Sequence, residues 1–133
     1  MAAAHARVEV VVQWADMDAL GHVNNARYFT WFESARIALF ERIGVMTSGP
    51  SEVGPILATT TCDFLAPVKY PARLEVTATI TKVGETSLTM TYEAHEGDRL
   101  HARGTSVAVL VDYATSTKVR IPDPIRKTIR ALD

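Results

Sequence analysis

Within ten residues, Asp16, Asp18, His22, Asn24 and Asn25 bring two carboxylates, an imidazole and two amides together just ahead of a long apolar segment. Such density suggests a site at a helix N-terminus, where unbonded backbone N–H groups and the helix dipole favour negative charge. A carboxylate held there can attack an electrophilic carbonyl, or take a proton from a water that does. The N–H groups would stabilise the oxyanion that develops. Asp18 stands six or seven residues before the helix start, close enough for the loop to fold back on it. The choice between nucleophile and general base stays open, with the general base favoured because it requires no second nucleophile.

The neighbouring groups have plainer readings. Asp16 and Asp18, at i and i+2, would share a face if extended, and like charges that close raise one pKa. Asp16 nevertheless reads first as a hydrogen-bond acceptor that stabilises the loop. His22 reads as a brace of the loop or a pocket-lining residue ahead of a proton-transfer group. A metal site is not expected, because Asp16, Asp18 and His22 cluster without a second histidine. A calcium loop fails as well, with Leu20 at its fifth position and Arg27 at its twelfth, where glutamate is required. Asn24 and Asn25 are helix caps first, and only one of them is needed for that role.

The helix these residues open is expected over 25–43. Tyr28, Phe32, Ala35, Leu39 and Ile43 fall on one stripe, which Phe29, Trp31 and Phe40 widen. Arg42 suits the C-terminal dipole, and Gly44 is a natural C′ residue. A helix this apolar should be covered on most sides. Glu33 on it requires a partner, such as Arg36 or a backbone group. Trp14, Trp31, Phe29 and Phe40 are core or acyl-pocket residues by default.

Period-two alternation predicts a strand over 8–14, with Val8, Val10, Val12 and Trp14 on one face. After a Gly- and Pro-rich loop at 47–55, further strands are expected at about 56–65, 72–83, 86–95 and 101–113, separated by turn signals. In the second of these, Leu74, Val76, Ala78 and Ile80 point inward. The run 107–111 is apolar on both faces, as in a central strand. A short last helix is expected within 125–132. Strand, long helix, then four strands joined by hairpin-like connections make an α+β layer packing. The expected form is a hotdog fold, one long central helix wrapped by a largely antiparallel five-stranded sheet.

Composition sets the outer bounds. A chain of 133 residues, 47% hydrophobic and 22% charged, has the size and balance of one globular domain. A formal net charge of −1 offers no basic field for nucleic acid or an anionic membrane. No apolar run approaches the ~20 residues that span a bilayer, and the first ten residues lack a signal-peptide core. Cys62, the single cysteine, rules out an intramolecular disulfide framework and fits a reducing cytoplasm. On its strand it reads as a small buried residue.

The run Asp16-x-Asp18-x-x-Gly21-His22-Val23-Asn24-Asn25-x-x-Tyr28, followed by Glu33-x-Ala35-Arg36, closely resembles the 4-hydroxybenzoyl-CoA thioesterase-like family of hotdog acyl-CoA thioesterases. The run from Asp63 through Phe64, Leu65, Ala66 and Pro67 to Val68 is similar to the family's second strand and its exit. The resemblance implies a cofactor-free thioester hydrolase, a homodimer or homotetramer, with sites at the protomer interface and an acyl-CoA as substrate. It implies Asp18 as the catalytic carboxylate and the Asn25 N–H as the donor to the thioester carbonyl. His22, Asn24, Tyr28 and Phe29 would then bind substrate. For the CoA phosphates the basic candidates are Lys69, Lys82 and Arg103. The basic cluster that some relatives carry between the third and fourth strands is reduced here to Lys82.

Two rival readings keep the fold. Hotdog enoyl-CoA hydratases use an Asp and a His a few residues apart, which Asp18 and His22 superficially offer, although the Gly-His-Val-Asn-Asn run resembles the thioesterases. A non-catalytic acyl-thioester binding protein would need fewer polar motif residues than are present.

Overall fold

A computed structural model describes residues 4–45 and 52–133. Strand β1 (Ala6–Val11) leads through a 3₁₀ turn (Trp14–Asp16) and a small loop into helix α1 (Asn25–Ile43). Strands β2 (Val53–Phe64), β3 (Arg73–Val83), β4 (Ser87–Glu96), β5 (Arg99–Asp112) and β6 (Thr117–Lys118) follow, and then helix α2 (Asp123–Ala131). The sheet is antiparallel in the order β1-β3-β4-β5-β2, with β6 on β5. One long helix against one antiparallel sheet is the α+β hotdog arrangement that the sequence predicts.

Helix α1 begins and ends where its caps require. The Asn24 side chain accepts the Ala26 N–H at 2.9 Å, and Gly44 takes the left-handed conformation at φ 90°. That conformation is nearly free for glycine and strained for other residues. Tyr28, Trp31, Phe32, Ala35, Leu39, Phe40 and Ile43 are buried. They pack on Leu74, Val76 and Ala78 of β3, Met90, Tyr92 and Ala94 of β4, and Ala102 of β5. Phe32 stacks on Tyr92 with ring centroids 4.9 Å apart. Gly104 makes room for it: a Cβ there would come within 2.4 Å of the Phe32 ring and 2.7 Å of the Thr61 carbonyl.

Five details depart from expectation. The first strand stops at Val11, and Trp14 is 74% exposed instead of sharing a buried face. The 3₁₀ turn causes this, since the Gln13 N–H donates to Asp16 Oδ2 at 2.8 Å and breaks the alternation. The sheet covers one side of α1, leaving Thr30, Glu33, Ser34, Ile37 and Glu41 exposed. The passage from β2 to β3 is a crossover, because β2 pairs with β5 while β3 pairs with β1 and β4. A sixth strand, β6, is two residues long and too short to show periodicity. The expected loop at 47–55 lies partly outside the described residues, and its last three residues already belong to β2.

Candidate active site

The segment between the 3₁₀ turn and α1 is a miniature hairpin. Met17 bridges Val23 in antiparallel register, and the Asn24 N–H donates to the Asp16 carbonyl at 2.9 Å. At its tip the Gly21 N–H donates to the Asp18 carbonyl at 3.1 Å, and the Asp18 N–H to the His22 carbonyl at 3.0 Å. Gly21 sits at φ 85°, so this is a tight turn closed by a glycine bulge. Asp18 helps to build it: its Oδ1 accepts the Leu20 N–H at 2.9 Å. Its other carboxylate oxygen has no hydrogen-bond partner among the described residues.

This geometry treats the two aspartates differently. Asp16 Oδ2 takes the Gln13 N–H, and Oδ1 lies 3.5 Å from Arg27 Nε on the first turn of α1. Asp16 is therefore the loop-stabilising acceptor the sequence suggests. Asp18 is half-buried with one oxygen free, and Asp16, two residues back, is bonded to Asn24. Asp18 stands two residues beyond Asp16 on the hairpin, a strand rise of roughly 7 Å from the rung where Asp16 pairs with Asn24 at the helix start. There the Ala26 N–H is capped by Asn24 and the Arg27 N–H donates to the Asn24 carbonyl at 2.9 Å. The Asn25 N–H has no acceptor among the described residues. A donor at a dipole's positive end and a half-free carboxylate thus belong to one short segment, the hairpin and the helix start it leads into.

The crossover from β2 to β3 forms the second wall. The Val23 N–H donates to the Val68 carbonyl at 2.8 Å, and the Tyr70 N–H lies 3.3 Å from Met17 Sδ. Lys69, between them in sequence, is exposed beside the hairpin. His22 is half-buried, and its ring makes no hydrogen bond among the described residues. Tyr28 is withdrawn into the core, 4.8 Å from the Trp31 ring and 5.0 Å from that of Phe64. Burial pushes its phenol pKa up, partly opposed by a backbone hydrogen bond at Val68. Phe29 is half-buried on an open groove between α1 and β2, together with Thr30, Glu33, Arg36, Leu57 and Thr60.

The three basic candidates do not converge within one protomer. Lys82 lies near the far end of β3, about 30 Å along the strand from the end that faces the hairpin. Arg103 is exposed on β5, 3.9 Å from Glu93. Cys62 has its thiol pushed up to about 11, first by burial and then by the Asp63 charge, so it remains a protonated, weak nucleophile near neutrality. Among the described residues no three His, Cys, Asp or Glu side chains gather as a metal site.

The structure adds the burial of His101, and of Arg36, which the sequence offers only as a partner for Glu33. His101, 2% exposed, aims Nδ1 at the Ala66 carbonyl and Nε2 at Glu96 Oε1, both at 3.0 Å. It thereby ties the crossover to the β4–β5 turn. Arg36 reaches under α1 to the Tyr92 hydroxyl at 3.3 Å, and that hydroxyl bonds Ser106. A signal for Arg36 existed, because it follows Tyr28 and Phe32 at four-residue steps on the apolar stripe. His101 stands alone in its stretch of strand and gave none.

Known proteins share this fold. The PA2801 protein of Pseudomonas aeruginosa is 32% identical, with a TM-score of 0.87, over 96% of this chain and 99% of its own. A thioesterase from Thermus thermophilus, solved with coenzyme A and Zn, is 31% identical with a TM-score of 0.84, covering 99% of this chain and 96% of its own. The protein YsmA of Bacillus subtilis (strain 168) is 29% identical over 123 residues, 91% of this chain and 82% of its own. The match to the thioesterase-like superfamily spans residues 12–129, from the 3₁₀ turn to the last helix, and the chain belongs to that superfamily.

Proposed function

We propose that this protein hydrolyses an acyl-CoA, or a related acyl thioester, to the free carboxylic acid and CoA, as a member of the 4-hydroxybenzoyl-CoA thioesterase-like branch. The observation that carries the reading is the hairpin on which Asp18 keeps one free carboxylate oxygen and which leads directly into the unbonded Asn25 N–H. The thioester carbonyl would accept from that N–H, so the charge gathering on its oxygen meets a fixed donor. Asp18 would take a proton from the attacking water as the new C–O bond forms. The tetrahedral intermediate then expels the CoA thiolate, which is protonated on leaving. His22 and Asn24 would shape the mouth of the site, and Phe29 would line the acyl path.

The same reading includes a homodimer. β2 is an edge strand that exposes Ile56, Leu57 and Phe64, with Leu65 exposed just beyond its end, and a long apolar edge invites pairing with another chain. A second copy there would close the groove beside Phe29 and could bring Lys82 or Arg103 towards a neighbour's site, with Lys69 already beside its own. CoA as the carrier is favoured by the relative solved with coenzyme A. A cytoplasmic setting is inferred from the single free Cys62. Among the described residues no helix is long and apolar enough to cross a membrane.

Free-thiol release over a panel of short, long and aromatic acyl-CoAs tests the reading directly, with turnover expected on at least one class. A crotonyl-type substrate that loses its double bond without releasing thiol would assign a hydratase. Tight binding with no release anywhere on the panel would assign a binding protein.

A further inference from the structure

Arg36 is 7% exposed, and its protein partners use only part of its guanidinium. Nη1 donates to the Tyr92 hydroxyl at 3.3 Å. Its only charged partner among the described residues is Glu33, 3.7 Å from Nη2 and one helical turn back, with a side chain 64% exposed. A guanidinium carries five N–H donors, and because no buried side-chain nitrogen or oxygen among the described residues lacks a partner, those that Tyr92 and Glu33 leave unused are open to an incoming group. The groove between α1 and β2 opens onto both groups, walled by Phe29 and Leu57 and edged by Thr30 and Thr60.

The groove is also aligned with the site. Asn25, Phe29 and Glu33 follow one another at four-residue steps, so they share a stripe of α1, and Arg36 lies three residues further on the same side. From Asn25 to the level of Glu33 the helix rises about 12 Å. An extended chain advances about 3.5 Å per three bonds, so roughly ten bonds connect the two levels. A partner reaching Arg36 from that distance meets a cation and an anion together. A carboxylate would be repelled by Glu33, and a methyl end would leave the guanidinium as it is. A hydroxyl can accept from Arg36 and donate to Glu33 at once.

Building on the thioesterase reading, we propose that the preferred acyl group is a medium-length chain bearing a neutral hydroxyl about ten atoms from the thioester carbonyl, held between Arg36 and Glu33. The test compares kcat/KM for 10-hydroxydecanoyl-CoA and decanoyl-CoA. The wild type should favour the hydroxylated chain roughly ten- to hundredfold, the scale of one hydrogen bond to a charged group. In Arg36→Met that ratio should fall towards one. Glu33→Gln, on an exposed side chain that leaves the core intact, should lower it severalfold and decides the matter should Arg36→Met not fold. Equal turnover of the two chains by the wild type, an unchanged ratio in both variants, or a preference for an ω-carboxylate would overturn the assignment while leaving the thioesterase reading standing. Binding of the uncleavable thioethers S-(10-hydroxydecyl)-CoA and S-decyl-CoA separates the opposite failure: tighter binding of the former with no hydrolysis of any ester supports the groove and removes the thioesterase.

Discussion

The two faces of helix α1's surroundings are built on opposite terms. At its N-terminus the 16–24 hairpin holds itself by backbone hydrogen bonds and leaves one donor and one carboxylate oxygen without protein partners among the described residues. Beneath its middle, Phe32 lies on Tyr92 and against Gly104 with almost no room to spare. A hairpin held by its backbone can surrender a side chain without losing its shape. A close-packed interior cannot, because the atoms around a deletion relax only partly. Reactivity and stability are therefore expected to separate cleanly between the two regions.

The largest effect should come from Asp18→Asn. The change keeps the acceptor for the Leu20 N–H and removes only the basic oxygen. A loss of about 10²- to 10⁴-fold in kcat is expected, the range of one general base, with a thermal midpoint close to wild type. Full turnover on the best acyl-CoA would remove Asp18 from the mechanism, and a large drop in midpoint would break the contrast itself. Phe32→Ala is the mirror experiment. It should cost about 3–5 kcal/mol in denaturant unfolding, through the cavity left between Tyr92 and Gly104. A cost below about 1 kcal/mol would mean that this interior yields far more than its packing suggests.

The same contrast governs how much could be read in advance. Helix α1 and the inward residues of β3 were legible because burial repeats along them: each apolar position is forced by its neighbours four or two residues away. Asn24 and Gly44 were legible because a helix end leaves particular backbone groups to satisfy. Trp14 was misplaced because a single hydrogen bond, from Gln13 N–H to Asp16, overrides a run of alternation. The crossover after β2 was hidden because strand order is decided by long-range pairing, to which Pro67 and Pro71 offer no clue. In the site, spacing drew attention to Asp18 and Asn25. The division of labour between Asp16 and Asp18 depends on Arg27 and Gln13, whose approach only the folded chain reveals. Tyr28, a pocket residue by position, packs against Phe64, a contact that the spacing does not announce.

A smaller test falls on the joint between the regions. Asn24→Ala removes the acceptor for the Ala26 N–H and should cost about 1 kcal/mol of stability, the usual worth of an N-cap. It also frees a second N–H beside Asn25, so KM and kcat should both shift by a few fold as the helix mouth frays. Unchanged stability would show that the hairpin, with its Asn24-to-Asp16 backbone bond, holds the helix start without the cap.

The smallest effect concerns two acids on the buried side. Burial and the Asp63 charge raise the Cys62 thiol from 9.0 to about 11, and burial also raises the Tyr28 phenol, with Cys62 adding to it. Between the unfolded and folded values of the thiol, the unfolded chain has released a proton that the folded chain keeps. Stability conferred by the neutral thiol is thus complete below about pH 9 and declines as pH rises towards 11. Unfolding of wild type and Cys62→Ala, followed from pH 8 to pH 11, should show the steeper decline in the wild type, with a residual slope in the variant from Tyr28. Parallel curves for wild type and Cys62→Ala would mean that the thiol is as well solvated as the hairpin, and the separation between the two regions would then stop short of β2.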